Sequence, residues 1–93
     1  VSPMSGTIQV LIADDSALSR LFLKQALRHD PAIGSIITAT NGREAIRLAT
    51  LHHPDIVLMD VEMPEMDGYE AVQWLMAHHP LPILVITGLD KQV

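Results

Sequence analysis

The chain has 93 residues, eleven of them acidic and six basic, for a formal charge of −5 at pH 7. That length fits one small domain in which every element must contribute to a single core, and a hydrophobic share of 48% excludes a solvent-swollen, disordered chain. Net negative charge argues against gripping nucleic acid phosphates directly, no apolar run approaches a membrane span, and the lack of cysteine excludes disulfides and thiolate metal sites and favours a cytoplasmic location.

Val1-Ser2-Pro3-Met4 has neither a basic region nor an apolar core, so it is not a signal peptide, and residues 1–7 are expected to form a tail before a domain at 8–93. Ile8 to Ala13 is a short apolar run that ends abruptly at Asp14-Asp15-Ser16, the pattern of a buried strand entering a loop. Leu18, Leu21, Phe22, Ala26 and Leu27 then recur at helical spacing until Asp30-Pro31 forbids continuation, giving a helix of about three turns. Ser35 to Ala39 reads as a second strand and Thr40-Asn41-Gly42 as a turn or helix start. Ala45, Ile46, Leu48 and Ala49 mark a second helix, stopped by His52-His53-Pro54. Asp55 to Asp60 is a third strand without polar alternation in its middle, hence covered on both faces. Val61 to Gly68, with Pro64 and Asp67-Gly68, is a loop. Tyr69, Val72, Trp74, Leu75 and Met76 support a third helix ended by His78-His79-Pro80, and Pro82 to Thr87 is a fourth apolar strand.

The order β-α-β-α-β-α-β gives an α/β fold with a parallel sheet, since each crossover helix returns the chain to the same edge. Histidines at helix C-termini suit the negative end of the helix dipole, with a histidine metal site as the alternative reading. All strand C-termini of such a sheet share one edge, and ligands of open α/β sheets bind there. Here that edge carries Asp14 and Asp15 after the first strand, Asp60 at the end of the third and Thr87 at the end of the fourth. Carboxylates ~4 Å apart repel by about 1 kcal/mol in water and about 4 at an effective dielectric of 20. A hard divalent cation, Mg²⁺, is the simplest compensation for an all-oxygen donor set. A carboxylate beside such a cation can attack phosphorus, so the edge suggests phosphoryl transfer or acceptance. No GxxxxGK[ST] or GxGxxG loop accompanies it.

Val10-Leu11-Ile12-Ala13-Asp14-Asp15-Ser16, Asp60-Val61-Glu62-Met63-Pro64-Glu65-Met66-Asp67-Gly68 and Ile86-Thr87 resemble the receiver domain of two-component response regulators, over essentially all of Ile8 to Leu89. Within that family, Asp-Asp-Ser-Ala-Leu-x-Arg at 14 to 20 with Asp-Val-Glu-Met-Pro at 60 to 64 is most similar to the regulatory domain of the chemotaxis methylesterase. The resemblance implies a flavodoxin-like sheet with flanking helices and a phosphoacceptor at Asp60, loaded from a phosphohistidine on a sensor histidine kinase or phosphotransfer protein. It further implies Mg²⁺ held by Asp15, Asp60 and the Glu62 backbone carbonyl, with Asp14 supporting the metal through water, and a switch hydroxyl at Thr87. The domain itself would be a signalling module and not an enzyme, while a longer parent could carry a methylesterase output domain.

The family continues through a further helix, strand and helix whose strand supplies a lysine. Lys91, four positions after Thr87, is not that lysine, and completing the pattern would need on the order of 25 to 30 more residues. The expectation is therefore a C-terminally truncated receiver with four strands and three helices, lacking its output domain. Two alternatives stay open: a receiver-like interaction or dimerisation module that is never phosphorylated, and a small Mg²⁺-dependent phosphatase of the haloacid dehalogenase type. The latter resembles Asp-x-Asp at the first strand, whereas the acids here are adjacent. An apolar edge strand is an association hazard, so the expected state is a dimer or higher oligomer through the exposed sheet edge; a monomeric mass from micromolar to millimolar concentration contradicts it.

Overall fold

Among the described residues, three helices and four strands alternate, as the spacing of apolar runs requires. A computed structural model describes residues 7–86, so that Thr87, Lys91 and the Val1 to Met4 stretch lie outside the described residues. The elements are β1 (Ile8–Ala13), α1 (Ala17–Leu27), β2 (Ile33–Ala39), α2 (Gly42–His52), β3 (Ile56–Asp60), α3 (Gly68–His78) and β4 (Ile83–Ile86). The strands form one sheet in the order β2-β1-β3-β4, and every pairing is parallel. β2 begins at Ile33, earlier than the apolar run from Ser35 suggests, because Ile8 pairs with Ile33 while Gln9 pairs with Ser35 across an irregularity that passes over Gly34.

Strand alternation divides the core into two layers. Leu11, Ala13, Val57 and Met59 face one side, where Ala45 and Ala49 of α2 and Ala71 and Leu75 of α3 cover them. Small residues on both helices let them lie close to the strands and to each other. Val10, Ile12 and Leu58 face the other side, against Leu23 and Leu27 of α1. β1 and β3 are buried on both faces, as their unbroken apolar runs imply.

Each helix start is capped by a side chain: Ser16 accepts from the Ser19 amide, Asn41 from Glu44 and Asp67 from Glu70. The C-terminal ends carry the histidines. His53 caps α2 in the left-handed region at φ 49°, His79 caps α3, and His52 and His78 lie in the last turns, where His78 Nδ1 meets the Trp74 carbonyl at 2.8 Å. The His78 ring also stacks on Trp74 with centroids 4.1 Å apart.

The orientation of α1 differs from the apolar pattern. Leu18, Leu21 and Phe22 are exposed, while Ser19, Leu23 and Leu27, spaced four residues apart, face the sheet. The helix carries two apolar stripes, and its anchorage at the start selects between them: the Ser16 cap fixes the first turn, and Arg20 Nη1 donates to the Asp14 carbonyl at 2.7 Å. Truncating the fully buried Leu11 to Ala should cost about 2–5 kcal/mol in urea unfolding, whereas Phe22→Ala should stay within about 0.5 kcal/mol. A large loss for Phe22→Ala would mean that α1 turns its other stripe inward.

Candidate functional site

The sheet register brings the acids together. Ala13 of β1 lies opposite Met59 of β3, so the next residue of each strand, Asp14 and Asp60, ends at the same level on adjacent strands. Neighbouring strands lie about 4.8 Å apart, and one carboxylate oxygen from each of Asp14, Asp15 and Asp60 falls within 4.8 Å of the others. Asp14 and Asp60 are almost fully buried, at 3% and 1% exposure, while Asp15 is exposed. The pocket thus has two acids in its wall and one at its mouth.

Asp14 is fixed from three directions. Its amide donates to the Ala39 carbonyl of β2, its Oδ1 accepts from the Ser16 amide at 2.9 Å, and its carbonyl accepts from Arg20. Asp60 Oδ1 accepts from the Glu62 amide at 3.0 Å, an Asx-type turn that starts the following loop. That loop closes on itself, with the Gly68 amide donating to the Val61 carbonyl at 3.2 Å. Gly68 is required by close approach: a Cβ there would overlap the Asp60 carbonyl oxygen and stand 2.7 Å from Val61 Cα. The first turn of α3 therefore rests directly on the backbone of Asp60.

Of the residues singled out from sequence, Asp14, Asp15 and Asp60 converge, and Glu62 follows Asp60 with its amide turned to that carboxylate. Thr87 lies outside the described residues. The helix cap belongs to Ser16, so Asp14 and Asp15 are not consumed in capping α1. Arg20, present in the sequence analysis only as the last residue of the 14 to 20 motif, contributes to the site by holding the Asp14 carbonyl; its place one turn into the helix after the acids was the available signal. Asn41, which donates to Glu65, and Gly42, which donates to the Met66 carbonyl, carried no such signal. The histidines lie at the opposite sheet edge, where His53, His78 and His79 line a cavity of about 350 Å³ with Pro54 and Pro80. Among the described residues, the three aspartates are the group of metal-ligating side chains close enough to share an ion. A hard cation with oxygen ligands fits this donor set.

The model of the response regulator receiver domain family matches residues 10–93. The chain is similar to a protein-glutamate methylesterase/protein-glutamine glutaminase of Carboxydothermus hydrogenoformans, at 51% identity over 91% of the chain and 24% of that protein. It is similar also to one from Geobacter metallireducens, at 47% identity over 91% of the chain and 25% of that protein. The chain thus spans about a quarter of the length of these relatives. Among solved structures, the response regulator domain of Thermotoga maritima CheB superposes with a TM-score of 0.84 at 34% identity, covering 91% of this chain and 63% of that one. The CheX-CheY-BeF3-Mg²⁺ complex from Borrelia burgdorferi gives 0.80 at 32% identity, covering 91% and 65%.

Asp60→Asn removes one of the three clustered charges and keeps an oxygen for the Glu62 amide. In chelator it should raise stability by about 1 kcal/mol or more, read as a higher urea midpoint. An unchanged or lower midpoint would mean that protein groups already balance the charge.

Proposed function

This chain belongs to the response regulator receiver domain family, and from that premise we propose that Asp60 accepts a phosphoryl group from a phosphohistidine in a chemotaxis-type two-component pathway. The observation that carries the reading is the convergence of Asp14, Asp15 and Asp60 within 4.8 Å at the C-terminal edge of the sheet. In-line attack forms a bond between a carboxylate oxygen of Asp60 and phosphorus while the phosphorus–nitrogen bond to the donor imidazole breaks; the imidazole nitrogen keeps the electron pair and takes a proton from solvent. The Glu62 amide holds the carboxylate so that its orientation is set before the donor arrives. Asp15 and Asp60, with the Glu62 carbonyl, are the proposed direct Mg²⁺ ligands, and buried Asp14 supports the ion through water. When bound, Mg²⁺ supplies charge neutralisation for the phosphoryl oxygens and the acids. The Borrelia complex, which contains BeF3 and Mg²⁺, supports Mg²⁺ as the cation by similarity.

Thr87, outside the described residues, is assigned the switch hydroxyl from its place in the sequence. The partners are a sensor histidine kinase or a phosphotransfer protein in the cytoplasm, and among the described residues no helix is long and apolar enough to cross a membrane. For a longer parent, similarity to the methylesterases suggests a methylesterase output domain regulated by this one. Phosphorylation at Asp60 would replace one carboxylate charge with nearly two on the phosphoryl group beside Asp14 and Asp15, which makes the acyl phosphate dependent on the cation.

Incubated with a small phosphoramidate donor and Mg²⁺, the chain should gain the mass of one phosphoryl group, labile to hydroxylamine and absent in Asp60→Asn or in chelator. No mass gain in the wild-type chain, or an equal gain in Asp60→Asn, would refute the assignment.

A further inference from the structure

We infer that Asn41 and Gly42, at the start of α2, are positioning residues for the acid pocket, acting through the loop 61–67; the inference rests on the phosphoacceptor reading above. The loop is tied to the pocket at one end, where the Glu62 amide donates to Asp60 Oδ1 at 3.0 Å. Its other end is held by α2. The Gly42 amide donates to the Met66 carbonyl at 2.9 Å, and Asn41 Nδ2 donates to Glu65 Oε2 at 3.2 Å. Glu65 itself sits at φ 66°, a conformation that side chains other than glycine and asparagine rarely adopt. Pro64 has its own φ fixed by its ring and biases Met63 before it toward extended backbone in this short span. Displacing Met66 must therefore move Glu62, because little in between can absorb the shift.

Gly42 has no spare room. A Cβ at this position would overlap the Met66 carbonyl oxygen and stand 2.9 Å from Met66 Cγ and 3.0 Å from the carbonyl of Asp67, the residue that caps α3. In a helix with open surroundings, replacing glycine with alanine stabilises; here it must push the loop away from α2. Asn41 does two separable things. Its Oδ1 caps α2 by accepting from the Glu44 amide at 2.8 Å, and its Nδ2 reaches Glu65. A serine retains the cap and is too short for the second contact.

The test measures hydrogen exchange of the Glu62 amide in metal-free protein, Mg²⁺ affinity by calorimetry and the urea midpoint, for wild type, Gly42→Ala, Asn41→Ser and Glu65→Ala. Gly42→Ala and Asn41→Ser should lose protection at the Glu62 amide and bind Mg²⁺ about tenfold more weakly, as for other partners that orient metal ligands. Asn41→Ser should do so at the wild-type urea midpoint, which a purely structural role would not produce. Glu65→Ala should match Asn41→Ser, and combining the two should add nothing. Should Gly42→Ala fail to fold, Asn41→Ser and Glu65→Ala decide alone. Wild-type exchange at Glu62 and wild-type Mg²⁺ affinity in these variants would overturn the inference. Wild-type protein that binds no Mg²⁺ while Glu62 still responds to Asn41→Ser would instead refute the phosphoacceptor reading and leave the α2 clamp standing.

Discussion

The pairing of β1 with β3 is the constraint on which the acidic edge depends. Ala13 lies opposite Met59, so both strands run out at the same level into Asp14 and Asp60. Burial specifies that register: a slip of one residue would send Val57 and Met59 from the α2 and α3 side of the sheet to the α1 side. Each fully buried Val, Leu or Met is worth about 1.5–3 kcal/mol, and Val10, Leu11, Ile12, Val57 and Met59 are all at 2% exposure or less. Repulsion between two carboxylates is about 1–4 kcal/mol. The core therefore wins, and it holds together charges that would otherwise separate.

What surrounds the acids is arranged to keep them there without conformational freedom. Asp14 is bonded through its amide, its carboxylate and its carbonyl to three different segments. Asp60 is backed by Gly68, which leaves no gap between the strand end and α3. The two sides of the pocket thus use different means, a hydrogen-bonded turn for β1 and close backbone packing for β3. The opposite sheet edge carries histidines at the C-terminal ends of α2 and α3.

Much of this was legible in the sequence because strands buried on both faces leave unbroken apolar runs, and because topology alone sends strand C-termini to a common edge. Asp14, Asp15 and Asp60 could be assigned together for that reason, although Asp60 lies 45 positions after Asp15. The rotation of α1 was not legible. Periodicity shows that apolar stripes exist, but choosing between Leu18, Leu21 and Phe22 and the stripe through Leu23 and Leu27 depends on how Arg20 and Ser16 tie the helix start to the β1 turn. The contact from Asn41 to Glu65 joins two loops that follow different strands, and no local pattern encodes it. The close approach of α2 to that loop leaves one mark in the sequence, Gly42, whose lack of a side chain becomes meaningful once the packing against Met66 is known.

The central claim is that three aspartates form one cation pocket built before any phosphoryl donor arrives. Titration calorimetry with Mg²⁺ tests it most directly; the fluorescence of Trp74 is a poor substitute, because the indole stacks on His78 in the last turn of α3, at the histidine edge. The account predicts a single saturable site for wild type, weakened in Asp15→Asn and in Asp60→Asn alike. Absence of saturable binding, or affinity unchanged when either acid is neutralised, would contradict it.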